Sequence, residues 1–269
     1  MRKNLPMTSC ATASLTISEA LRGNRHLRPL ADTTSALRLH AMLEDGISDN
    51  YATRDLNSVL TVRASMLHQP FLTTNLSYSP LARIRGLLVN VLLRLLSVGV
   101  TIKDPFHDAV TAWRADGRDS ELVRRYEQFD DDERARLATD VAAHCTTLTR
   151  ALGEVPGGWM PRSAVRVSQR LGDGRVILRD VIDLMVGTTS ATASVALFDV
   201  STSPLNDGSE KIVRYHALVQ ALRSSIVPLR TSIFSTATGE LRTFDVDYEF
   251  LAQSVHEVLA VVGELGRSA

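Results

Sequence analysis

Two strand-like segments carry aspartates where strands rarely place them. In Arg175 to Val186, period two puts Val176, Leu178, Asp180, Ile182 and Leu184 on one face. It puts Ile177, Arg179, Val181, Asp183 and Met185 on the other. In Val195 to Thr202, Asp199 follows four apolar residues and shares a face with Ser201. A lone buried carboxylate costs several kcal/mol unless it is paired or binds a metal. If the two strands pair, Asp183 and Asp199 converge near one sheet end. Two carboxylates and a backbone carbonyl suit Mg²⁺ or Mn²⁺, which would hold a phosphate and activate a water. The blander possibility is that these acids pair with Arg175, Arg179 or Arg214, or meet solvent at strand ends. A helix bearing Lys211 follows the second strand.

The elements that must position these acids are readable from about residue 80 onward. Ser79-Pro80 opens a helix on which Leu81, Ile84, Leu88, Leu92 and Leu95 recur at helical spacing. Asp104 is a candidate N-cap for a second helix. Asp130, Asp131 and Asp132 favour the positive end of a third, which runs to Leu152. After Gly157-Gly158 the period changes to two. Ala164 to Arg170 alternates, and Gly172-Asp173-Gly174 reads as a hairpin turn, since no helix or GKS/T end follows to make it a phosphate loop. Strands over 175–186 and 195–202 follow, then a helix over 209–225, short strands over 229–234 and 241–246, and a closing amphipathic helix over 248–265. Residues 1–80 give only short helical patterns such as Ser35 to Leu43.

At these residues the chain resembles the PD-(D/E)XK nucleases, in particular their RecB-like branch. The segment Gly174 to Gly187 resembles the first motif, Leu197-Phe198-Asp199-Val200-Ser201-Thr202 the second, and Arg214 to Ser224 the helix that follows. The resemblance spans about residues 100–262. It implies an α+β (α/β) fold: a restriction-endonuclease-like core, its central mixed sheet of four or five strands, joined to a mostly helical N-terminal half. The expected division is a helical region over 1–100 and a nuclease-like domain over 101–269. It further implies Mg²⁺-dependent hydrolysis of DNA phosphodiesters, with Asp183 and Asp199 as metal ligands and catalytic residues.

The chain departs from the pattern at Ser201, where the motif carries a lysine that orients water and stabilises charge on the phosphate. Lys211 is the candidate replacement. Arg179 could balance charge but stays protonated. His107 would correspond to an added histidine of the metal shell. Gln220 and Tyr215 do not match the order of the glutamine–tyrosine pair of RecB-like proteins. The alternative is a catalytically degenerate relative that binds nucleic acid or a protein.

Composition narrows the partners. With 30 basic and 30 acidic side chains the net charge is +0, which excludes binding by bulk charge. A local basic face remains, because Arg162, Arg166, Ser168 and Arg170 alternate along one strand, with Arg175 and Arg179 across the hairpin. DNA is therefore the expected partner. Cys10 and Cys145 cannot build a disulfide framework or zinc site. Arg94 interrupts the apolar run Leu87 to Leu96, so no membrane span is expected, and polar residues such as Thr8 and Ser9 break up any export signal. A cytoplasmic protein is the default.

Overall fold

The computed structural model describes residues 16–22, 32–51, 59–68, 79–117, 120–189 and 194–268. Its elements in chain order are α1 (Ile17–Arg22), α2 (Thr33–Tyr51), β1 (Leu60–Val62), α3 (Ala64–His68), α4 (Pro80–Ser97), α5 (Pro105–Ala115), α6 (Ser120–Glu127), α7 (Asp131–Leu152), β2 (Pro161–Leu171), β3 (Val176–Val186), β4 (Ala196–Ser201), α8 (Asp207–Ser224), β5 (Arg230–Ser235), β6 (Leu241–Asp245) and α9 (Tyr248–Ser268). Helix starts follow local chemistry. Ser79 caps α4 ahead of Pro80, Asp104 caps α5, and Asp130 with Glu133 forms a capping box on α7. At the β2–β3 hairpin Gly172 has φ 56° and its missing Cβ would lie 2.6 Å from Ile47 Cγ2, so only glycine fits beneath α2.

The fold is α+β, three layers around a mixed sheet. Helices α2, α8 and α9 cover one face, where Leu39, Leu43, Leu218 and Val258 meet Leu178, Ile182 and Leu197. Helices α1, α4 and α7 cover the other through Val89, Leu93 and Leu148 against Leu184, Phe198 and Phe234. A further core joins α4 to α5, α6 and α7 around Leu88, Trp113 and Leu137. The sheet holds six strands in the described residues, more than the four or five expected. The addition is β1, whose three residues lie in the stretch that gave no strand pattern and which pairs parallel with the start of β3. Elements on both sides of residue 100 thus build one sheet.

The edges of β3 decide the rest. Antiparallel β2 occupies one edge from Val176 to Val186. The other edge is shared by two strands that do not meet: β1 pairs with residues 176–178 and β4 with residues 184–186. Between them the outward N–H groups have no strand to bind, and side chains take its place. Arg179 N donates to Tyr215 Oη at 3.1 Å, Val181 N to Asp180 Oδ1 at 2.9 Å, and Asp183 N to Asp199 Oδ1 at 3.3 Å. Across the gap Asp183 Oδ2 accepts from Val200 N at 2.8 Å, and Asp180 Oδ2 accepts from Ala64 N at 2.8 Å.

Strict alternation also fails here. Ile182 and Leu184 were expected on one face, yet Ile182 packs towards α8 and Leu184 towards α4. The strand turns over at Asp183. Its opposite number on β2, Ala164, has a left-handed φ of 49°, and the pairing passes from Ser163–Leu184 to Val165–Ile182 without them.

Tyr215 Oη also donates to the Val62 carbonyl at 2.7 Å, tying β1 to the fork. Tyr215→Phe removes that donor and the acceptor of Arg179 N while keeping the ring. It is expected to lower stability by about 1–3 kcal/mol in urea unfolding, the cost of buried polar groups left without partners. A loss below about 0.5 kcal/mol would mean that the fork does not depend on this hydroxyl.

Candidate functional site

The fork gathers four titratable groups. His216, midway along α8, is buried, as is Asp199. Its Nδ1 lies 2.9 Å from Asp199 Oδ2 and its Nε2 3.6 Å from Asp180 Oδ2. Asp183 stands on the same fork, half-buried, and turns its carboxylate towards α4, where Asn90 Nδ2 donates to Oδ1 at 2.9 Å. The arrangement follows from the elements. β4 carries Asp199 to the point where it leaves β3, and α8, buried along most of its length, returns directly across that point.

Burial by itself would drive the imidazole towards its neutral form. The charge of Asp199, with its hydrogen bond and the nearby carboxylate of Asp180, outweighs this and holds His216 protonated, its pKa raised to about 10. For Asp180 burial also disfavours the charge, but the neighbouring His216 imidazolium and the hydrogen bonds from Ala64 and Val181 leave its carboxyl below the ordinary range. Asp183 goes the other way. Burial, reinforced by the charge of Asp199, raises its pKa to about 8 despite the Val200 hydrogen bond. The fork is an Asp–HisH⁺–Asp chain with a neutral-leaning carboxyl at its end.

The structure brings Asp183 and Asp199 together, as the spacing predicted, but Lys211 stands elsewhere. It precedes His216 by five residues, about 140° around the helix at 3.6 residues per turn. Its charge acts on Glu257 of α9. The residue that reaches the acids is His216, to which the sequence pattern assigns no role. A histidine in the helix segment Tyr215-His216-Ala217-Leu218-Val219 signals little until burial on every side is known. Ser201 does not face the acids either, because its hydroxyl donates to the Ser203 carbonyl at 2.9 Å. His107 is an exposed residue in the first turn of α5, and its backbone N–H binds the Asp104 cap. Tyr215 serves the fork backbone, and Gln220 is buried. Of the arginines considered as partners for the acids, Arg214 pairs with Glu210 and with Glu257, while Arg175 and Arg179 are exposed.

The donor set does not fit a two-carboxylate divalent cation. Mg²⁺ demands near-octahedral oxygen ligands at about 2.1 Å. All four carboxylate oxygens of Asp183 and Asp199 already accept a hydrogen bond, and the protonated imidazole holds Asp199 from the buried side. Among the described residues no group of three or more His, Cys, Asp or Glu is placed to hold a metal.

What Asp183 offers instead is one wall of a cleft. About 550 Å³ of space opens between α4 and α5 on one side and β2 and β3 on the other, and Asp183, Asn90, Arg94 and Arg166 line it. Beyond the cleft the outer face of the hairpin presents Arg166, Arg170 and Arg179, all exposed. Among the described residues none of the three forms an ion pair. Arg162 instead binds the Gly187 carbonyl at 3.1 Å, at the base of the hairpin.

Two measurements check the charge state. Folded Asp183 keeps its proton up to about pH 8, whereas unfolded it loses it near 3.8. Folded His216 keeps its proton up to about pH 10 against 6.5 unfolded. Both raised values mean stability that is greatest at low pH and lost as pH rises through the folded values. Thermal melts should therefore show stability falling from about pH 4 towards pH 10, most steeply between about pH 6.5 and pH 8 where both groups contribute. Asp183→Asn should flatten the part below pH 8; an unchanged profile would show that Asp183 is ionised in the fold. Separately, His216→Ala leaves Asp199 and Asp180 without their cation and is expected to cost about 3–5 kcal/mol in urea unfolding.

No protein-family model matches the chain, and no curated protein matches it. Among solved structures it is similar to "Crystal structure of SSO0001" at 8% identity, over 84% of this chain and 85% of that chain, with a TM-score of 0.33. At that score the likeness supports no statement about chemistry. Among the described residues no helix is long and apolar enough to cross a membrane.

Proposed function

We propose that this chain is a catalytically silent relative of the PD-(D/E)XK nucleases that binds DNA through the outer face of the β2–β3 hairpin. The observation that carries the reading is His216 seated between Asp199 and Asp180, where it neutralises from within the acids that would otherwise call for a cation. With the motif lysine replaced by Ser201 and the charge of Lys211 acting on Glu257 of α9, neither the motif position nor its candidate replacement supplies a cation to Asp183 and Asp199. Binding survives this loss, because Arg166, Arg170 and Arg179 meet phosphates without help from the acids. The zero net charge of the whole chain then restricts binding to this face.

One observation favours the alternative of a Mg²⁺- or Mn²⁺-dependent nuclease. Asp183 lines the cleft as a half-buried carboxyl whose charge is disfavoured there and which a cation would relieve. In that reading Asp183 and Asp199 would hold the ion, and the ion would supply Lewis-acid chemistry.

The two readings separate in one set of assays. With fluorescent DNA, the wild type should bind with an affinity that falls steeply between low and moderate salt, and should cleave nothing with Mg²⁺ or Mn²⁺. Reversing two charges, Arg166→Glu with Arg170→Glu, should weaken binding and reduce the salt slope by about one per lost phosphate contact. Ser201→Lys should remain inactive, because the imidazolium still holds Asp199. Mg²⁺-dependent cleavage that disappears in Asp199→Asn would overturn the proposal in favour of the nuclease. Binding that ignores both salt and the arginine reversals would overturn both.

A further inference from the structure

The cleft beside Asp183 has features that a plain basic surface lacks. Its volume, about 550 Å³, lies within the range of roughly 300–1,000 Å³ typical of ligand clefts. Leu87 and Val91 of α4 and Val181 of β3 give it apolar sides. Two of its residues carry polar atoms without partners among the described residues: the indole Nε1 of Trp113, which is only 2% exposed, and Oδ1 of Asn90. One is a donor and the other an acceptor. A buried polar atom without a partner costs about 1–3 kcal/mol, and a ligand that supplies the missing partners recovers it.

The outer part of the cleft is different. Arg94, paired with Asp116, and exposed Arg166 both line it. The site thus combines apolar walls, one free donor, one free acceptor, the half-buried Asp183 carboxyl and two guanidinium groups, of which Arg94 is paired with Asp116 and Arg166 is unpaired among the described residues. A planar heterocycle with a hydrogen-bonding edge and an attached phosphate matches that combination. Asn90 contributes to such recognition from a fixed position, since its Nδ2 is held by Asp183.

We infer that the cleft takes one unpaired nucleotide of a DNA strand, its base inward against Asn90 and Trp113 and its phosphate outward against Arg94 and Arg166. The inference rests on the DNA-binding reading and sharpens it. A base can enter only when it is out of its duplex, so the protein should prefer single strands or frayed ends, where unpairing costs nothing further. Arg166 belongs both to the cleft and to the hairpin face, so the strand runs from the cleft along Arg170 and Arg179.

Fluorescence tests this directly. The chain has two tryptophans, Trp113 and Trp159, so Trp159→Phe leaves Trp113 as the sole indole emitter. In that background a 12-nucleotide single strand and dAMP should change Trp113 emission, while a blunt duplex and inorganic phosphate should not. Val181 is 43% exposed, so Val181→Phe fills the cleft without disturbing the core. It should lower single-strand affinity about 10- to 100-fold, the equivalent of one lost base contact. If DNA binds by anisotropy but emission does not change, or if Val181→Phe binds as well as the wild type, the cleft assignment is overturned and the hairpin face stands alone. If no DNA binds at all, the DNA-binding reading falls with it. Should Val181→Phe not fold, the comparison of single strand with duplex on Trp113 emission still decides.

Discussion

Backbone N–H groups of a strand must find acceptors, and on the outer edge of β3 the acceptors run out. β1 covers residues 176–178 and β4 residues 184–186, leaving Arg179, Val181 and Asp183 facing a gap. An unpaired buried N–H costs as much as a lost hydrogen bond. The molecule closes the gap with side chains: the Tyr215 hydroxyl and the carboxylates of Asp180 and Asp199 each take one N–H. The placement of α8 and the charge state of the acids follow from that need.

Carboxylates make good acceptors but carry charge into a dry place. Asp199 is 4% exposed, and a bare anion there would be strongly disfavoured. His216 answers it, and in doing so reaches Asp180 as well. Asp183 is left without a cationic partner and shifts towards its neutral form. The same four residues that look like a reaction centre are in this way also the joints of the sheet. A carboxylate that holds a strand in register is less free to move onto a cation. This is why the donor set, rather than the residue types, decides between a binding protein and an enzyme.

The fork has a second consequence for surface chemistry. Since β3 turns over at Asp183, its polar end is delivered to the α4 side, beside Asn90 and the arginines, rather than sealed under α8. The strained Ala164 opposite is part of the same turn. Buried structural charge and the open cleft are thereby back to back, separated by one strand residue.

The sequence alone determined the elements from residue 80 onward apart from α6. Periodicity, caps and the Gly172-Asp173-Gly174 turn place α4, α5, α7, the β2–β3 hairpin, β4 and α8 within a few residues of where they lie, because these signals are local. It also determined that Asp183 and Asp199 would neighbour each other, since period two and one strand pairing suffice for that. Three matters were decided only in three dimensions. β1 is three residues long and has no period to read; it becomes a strand by pairing with β3. The face switch at Asp183 lies opposite the left-handed Ala164 of the neighbouring strand, which alternation cannot express. His216 rather than Lys211 meets the acids because α8 is rotated by the burial of its apolar sides, and the rotation of a helix buried nearly all round is set by its neighbours, not by its own residues.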